Sequence, residues 1–141
     1  MKYFEVGVRY QKTTENGQNK VVTEKFLLDA VSFTEAEKRI TEEMQQYSNG
    51  DIGVISEKIT NISEVVTTED DADKFYKVKM NITTVDENSG RERKTPQIII
   101  IQAASVDDAR KRFDTHIKGW LTDVMLEAVS ETKYMDYFRK Q

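Results

Sequence analysis

The sequence predicts an α+β fold made by tandem duplication of a β-β-α-β unit, with antiparallel sheets each packed by one helix about a pseudo-twofold axis. Three observations carry the prediction. Strand-like stretches beginning at Tyr3 and Phe75 superpose at a shift of 72 residues. Two capped helical segments, opening at Ser32 and Ser105, superpose at a shift of 73. The apolar residues inside those helices fall in the same register, and internal self-similarity of this kind points to a repeated structural unit.

The first strand alternates Phe4, Val6, Val8 and Tyr10 with polar residues, and its counterpart alternates Tyr76, Val78, Met80 and Ile82. A period of two marks a strand with one buried face. Polar loops follow, Glu15-Asn16-Gly17 and Glu87-Asn88-Ser89-Gly90, whose Asn and Gly residues suit hairpin turns. The second strands run around Val21 to Ala30 and Gln97 to Ala103, and Phe26-Leu27-Leu28 and Ile98 to Ile101 read as strands near a sheet centre or covered on both faces. Pro96 is expected at a strand start, where a missing N–H does least harm.

Both helices open with a capping box, Ser32-Phe33-Thr34-Glu35 and Ser105-Val106-Asp107-Asp108. Phe33, Ala36, Ile40, Met44 and Tyr47 match Val106, Ala109, Phe113, Ile117 and Trp120, each set forming one stripe that faces a sheet. Gly50 is expected to cap the first helix. Closing segments at Ile62 to Val66 and Tyr134 to Phe138 restore the shift of 72. The expected organisation is therefore residues 1–66 as the first repeat, 67–74 as an acidic linker and 75–141 as the second repeat, packed together because one small sheet with one helix buries little.

Composition narrows the function classes. Hydrophobic residues make up 38% and charged residues 33% of the 141-residue chain, ordinary for a globular domain. It has no cysteine, which removes disulfides, thiolate nucleophiles and cysteine zinc sites. With a single histidine, His116, a transition-metal site is not expected, and no cofactor is implied. The Glu69 to Asp73 cluster lacks the EF-hand pattern and reads as a solvated linker. His116 falls on the flank of the second helical stripe and reads as a partly exposed surface residue. Neither a phosphate loop nor a G-x-S-x-G elbow occurs, so an enzyme is not expected. The start lacks the basic and apolar regions of a signal peptide, and the longest apolar run is Ile98 to Ile101. A cytoplasmic setting without a membrane partner is the expectation.

The net charge of −4 is unevenly spread: residues 1–66 balance to −3, residues 67–74 to −3 and residues 75–141 to +2. The second repeat is thus the better place for an anionic partner. Arg91, Arg93 and Lys94 in or beside its hairpin loop, with Arg110, Lys111 and Arg112 on its helix, are the candidate nucleic-acid or anion contacts. Tyr3, Phe75, Tyr134, Tyr137 and Phe138 could supply base stacking beside them, although both repeats place aromatics at core-facing positions.

Tyr3-Phe4-Glu5-Val6, Ser32 to Glu37 and Ser130 to Asp136 together resemble a domain-of-unknown-function family of small proteins from Bacteroidota and their phages or mobile elements. The resemblance covers nearly the whole chain and implies a cytoplasmic, viral or mobile-element setting. It carries no established active site. The leading expectation is a non-catalytic binding protein of phage or mobile-element origin, acting as an oligomer, since duplicated surfaces suit symmetric assembly. Single-stranded nucleic-acid binding through the basic second repeat, and sequestration of a small nucleotide signal in a pocket between repeats or subunits, its phosphate received at the helix starts near Ser32 and Ser105, are the alternatives. Candidate partners are accordingly a second copy of the chain, single-stranded nucleic acid or a nucleotide.

Overall fold

A computed structural model describes residues 2–140. It is α+β and mostly strand, with two four-stranded sheets and two α-helices. The elements run β1 (Lys2–Thr13), β2 (Asn19–Ala30), α1 (Phe33–Glu43), a 3₁₀ turn (Met44–Gln46), β3 (Ile52–Ile59), β4 (Ile62–Val66), β5 (Lys74–Val85), β6 (Glu92–Ala103), α2 (Val106–His116), β7 (Asp123–Glu131) and β8 (Tyr134–Phe138).

The strand orders β3-β1-β2-β8 and β4-β6-β5-β7 depart from the expected arrangement. One compact unit comprises the described residues up to Thr60 together with those from Lys133 onward, and the other is Asn61–Thr132. The last strand of each sequence stretch thus completes the sheet of the other. Nor are the sheets purely antiparallel: β8 pairs parallel to β2, and β4 parallel to β6. The physical reason is that alternation specifies which face of a strand is buried, whereas its pairing partner is chosen by backbone groups that every residue carries.

The first unit buries Phe4, Val6 and Val8 of β1, Phe26 and Leu28 of β2 and Phe138 of β8 against Ala36, Ile40 and Met44. The second buries Tyr76, Val78 and Met80 of β5 and Ile99 and Ile101 of β6 against Ala109 and Phe113 of α2. Bulk is redistributed between the two. The first pairs a large ring on the sheet, Phe26, with Ile40 on the helix; the second pairs Ile99 with Phe113. Such exchanges keep the filled volume nearly constant. Leu27 and Ile100 are also fully buried, as expected of second-position strands.

Ser32 and Ser105 accept from the backbone N–H groups of Glu35 and Asp108 at 3.1 Å, which fixes both helix starts. The Asp108 carboxylate reaches back to the N–H of Ala104 rather than to that of the cap itself. Several expectations need correction. Gly50 is not a left-handed cap: the positive-φ glycines are Gly17, Gly90 and Gly119, and α1 instead tightens into its 3₁₀ turn. Trp120 lies beyond α2 after Gly119, so it extends no helical stripe. Phe33 and Val106 are about half exposed, although the Phe33 ring still meets Phe4 edge-on at 5.2 Å. Pro96 lies inside β6, not at its start, in the stretch that precedes the pairing with β4 at Ile98.

The places where the chain leaves one unit for the other are built alike. Thr60 donates its backbone N–H (2.9 Å) and hydroxyl (2.8 Å) to the Tyr3 carbonyl. Thr132 does the same to the Phe75 carbonyl at 2.9 and 2.7 Å. After the exchanged strands, Asp29 Oδ1 accepts from the N–H of Lys140 (2.6 Å), and Gln102 Oε1 accepts from that of Thr68 (3.1 Å). In the first unit Arg39 adds bonds to the carbonyls of Asp29 and Phe138, stitching α1 to β2 and β8.

Candidate functional site

The basic residues expected to meet an anion divide between two places. Arg91, Arg93 and Lys94 are exposed on the β5–β6 hairpin, interleaved with Asp86, Glu87 and Glu92, so their charge is locally balanced. The aromatics that base stacking would need are committed elsewhere. Phe75 and Phe138 are buried, Tyr134 donates to Glu5 at 2.8 Å, and Tyr3 packs on Tyr137 at 6.2 Å between ring centroids.

Lys111 and Arg112 do come together. Positions 111 and 115, and 112 and 116, are one turn apart on α2, which lays Lys111, Arg112, Thr115 and His116 along one side of the helix. Facing them are Thr67 and Thr68 at the end of β4, with Gln102 of β6 beneath. The groove between has a volume of about 320 Å³, within the range of small-ligand sites. Arg110 is exposed but does not line it.

The groove's walls are pinned by its own polar groups. Arg112 binds Asp70 through Nη2 at 2.7 Å and Asp108 through Nε at 2.9 Å. These partners push the guanidinium pKa up, the Asp70 hydrogen bond foremost. Asp70 is held below the ordinary aspartate value, first by the N–H of Ala72 and then by Arg112. Gln102 donates to the Ala72 carbonyl at 2.6 Å. The 67–74 segment is consequently anchored to α2 and β6 rather than freely solvated.

His116 is partly exposed, as its flank position suggests, yet it has a partner the sequence does not reveal. Its Nε2 lies 2.8 Å from Glu64 Oε1, and Trp120 meets its ring edge-on at 5.7 Å. Glu64 arrives on the exchanged strand β4, so no spacing in the chain announces the pair. In the first unit the corresponding carboxylate, Asp136 on β8, accepts from Tyr47 at 2.7 Å. A carboxylate on each exchanged strand is therefore gripped by a ring just past or at the end of a helix.

A family model spans residues 2–140, both units entire as described. The chain belongs to the family described as Domain of unknown function (DUF4494). No curated protein matches the chain. The membership supplies no functional residues, so the chemistry must come from the groove itself. Lys111 forms no ion pair among the described residues, while Arg112 keeps its Nη1 donors beyond those bound to Asp70 and Asp108. The Thr67 and Thr68 side chains stand beside them, while the Thr115 hydroxyl donates to the Lys111 carbonyl at 3.1 Å. Fixed guanidinium donors, a movable ammonium and hydroxyls suit an oxyanion. Among the described residues no cluster of three metal-ligating side chains occurs, and no helix is long and apolar enough to cross a membrane.

Proposed function

We propose that this chain is a non-catalytic binding protein of phage or mobile-element origin, built by tandem duplication and acting in the cytoplasm, which sequesters a small nucleotide in the α2 groove. The observation that carries the reading is the meeting of Lys111 and Arg112 with Thr67 and Thr68 at one concave surface. Arg112 is preorganised by Asp70 and Asp108, so ordering it costs little on binding. Because those carboxylates offset its charge, Lys111 carries the electrostatic discrimination, and affinity is expected to fall with added salt.

Thermal unfolding of the whole chain against a panel of mono- and cyclic nucleotides tests this directly. A ligand at about 100 times its Kd adds about 2.7 kcal/mol of apparent stability. Lys111→Ala should abolish that gain while leaving the unliganded melting temperature unchanged. A panel that shifts nothing, or a shift that survives Lys111→Ala, overturns the assignment. Native mass spectrometry of protein taken gently from phage-infected cells would identify the ligand and report the multiplicity of the assembly.

Self-assembly is a second reading, favoured by β3 and β7. Each is a long outer strand of its sheet with apolar side chains exposed, Ile55 on β3 and Met125 on β7. Outer strands offer unpaired backbone groups to another chain. Light scattering that holds at the monomer mass as concentration rises would remove this reading. Single-stranded nucleic-acid binding has less support, since the Arg91, Arg93 and Lys94 hairpin is charge-balanced and lacks free aromatics.

A further inference from the structure

The first unit holds a second concave site whose chemistry is opposite in sign. It lies between the 3₁₀ turn after α1 and the exchanged strand β8, with a volume of about 370 Å³. Its inner wall is aromatic. Phe26 sits 6.3 Å from Tyr10 and 6.5 Å from Tyr47, and behind it Phe138 stacks at 5.7 Å with only 20° between ring planes. Tyr47 and Met135 reach the rim and remain 42% and 48% exposed, which presents a π face and a thioether to anything entering.

Most polar groups around that wall donate to partners already in place. Tyr10 donates its hydroxyl to Glu24, and Tyr47 donates to Asp136 at 2.7 Å. Asn49 donates its amide to Thr13 and to Asn19. Lys12, the cation at the site, lies 3.4 Å from Glu24 Oε2 and is neutralised there. What these bonds leave at the cleft is chiefly acceptor capacity: that of the Tyr47 phenol oxygen, of Asp136 and of the Asn49 carbonyl oxygen. Burial and the neighbouring carboxylates raise the Tyr10 pKa and push that of Tyr47 up to about 12, so both phenols stay neutral and keep donating inward at physiological pH. The cleft is also braced: the N–H of Asn49 bonds the Gln11 carbonyl at 2.9 Å, and Asp136 Oδ1 accepts from the N–H of Tyr137 at 2.8 Å.

An aromatic wall ringed by acceptors and carrying a net negative charge selects a donor that is positive and able to lie on a π face. A phosphate or carboxylate would meet the Asp136 carboxylate, with Lys12 already paired to Glu24. We propose that the cleft of Tyr10, Phe26, Tyr47 and Asp136 binds a guanidinium or alkylammonium group, with the cation over the Tyr47 ring and its N–H donors directed to Asp136. The binder is a free organic amine or a cationic side chain of a partner peptide, which share this chemistry. The site is independent of the α2 groove, so either can fail without the other.

Amide spectra of the whole chain, titrated with agmatine and in parallel with an unstructured peptide containing one arginine, test the proposal. Saturable shifts are expected at Gln46, Tyr47, Asn49 and Asp136, with a Kd of about a millimolar or tighter. Glutamate at the same concentration should leave these signals in place. Asp136→Asn keeps the shape and should weaken binding roughly tenfold. Tyr47→Leu should weaken it as well by removing the π face, and melting curves of both variants verify that they fold. A peptide that binds tighter than agmatine identifies a partner's side chain, and equal affinities identify a free amine. Absence of saturation, shifts away from the cleft, or unchanged affinity in both folded variants overturns it.

Discussion

Replacing Phe138 by alanine, alone and together with Phe26→Ala, measures whether β8 completes the first unit's sheet. Phe138 is 6% exposed, stacks on Phe26 at 5.7 Å and also meets Tyr47 at 6.3 Å. Removing a buried phenylalanine ring costs about 3–5 kcal/mol, from lost transfer energy and the cavity left behind. The low end applies here, since β8 is a short outer strand that can settle towards its neighbour. The diagnostic quantity is the coupling. Two rings in stacked contact carry about 0.5–1.5 kcal/mol beyond their burial, so the double variant should be less destabilised than the sum of the singles by about that amount. Urea unfolding followed by far-ultraviolet circular dichroism supplies the free energies. Trp120, the chain's one tryptophan, supplies a fluorescence signal from the second unit alone. Were β8 instead to stay with residues 75–132, Phe26 and Phe138 would not touch and their effects would add to within about 0.5 kcal/mol. Additivity at that level would refute the strand exchange.

Thr60→Val and Thr132→Val each remove one hydroxyl bond while the same carbonyl keeps its backbone N–H, so each should cost about 1 kcal/mol, measured as a shift in urea midpoint. Tyr47 and Tyr137 both have pKa values pushed up to about 12 in the folded chain, chiefly by burial, against about 10 when unfolded. Their contribution to stability is therefore complete below pH 10 and lost as pH rises from 10 through 12. Midpoints taken across that window should fall, and a flat profile would contradict the assignment. Arg112→Gln should raise the Asp70 pKa only part of the way to its ordinary value, because the N–H of Ala72 is the larger cause of the depression; carbon-detected carboxylate titration would read it.

What the sequence makes legible is whatever repeats locally. The period-two alternation of Phe4 to Tyr10 and Tyr76 to Ile82, the serine caps and the Ala36/Ile40 and Ala109/Phe113 stripes all appear as elements with the expected buried faces. The destination of β4 was not legible. Only Thr60 and Asn61 separate β3 from β4, a spacing common in tight hairpins, yet the two strands do not pair. The pairing depends on backbone register with β6, far along the chain. The groove was half legible for the same reason. Lys111 and Arg112 are visible as a basic run on a helix, but Thr67 and Thr68 reach the groove, and Glu64 reaches His116, only because β4 crosses over. The aromatic cleft leaves no local signature: Tyr47 and Asp136 are separated by 89 positions, and no local pattern connects them.

The exchange of closing strands also sets a timetable. During synthesis Asn61–Thr132 already contains every strand of its sheet, including β4, which leaves the ribosome before β5 and β6. The earlier-made residues up to Thr60 must wait, with the β2 edge open beside Leu27 and Leu28, until Phe138 has emerged. The part translated first is thus the part finished last, since vectorial folding can complete only those units whose strands have all appeared. An incomplete chain ending before Tyr134 would carry a finished second unit and an unsealed first one, whose exposed edge invites a strand from another molecule.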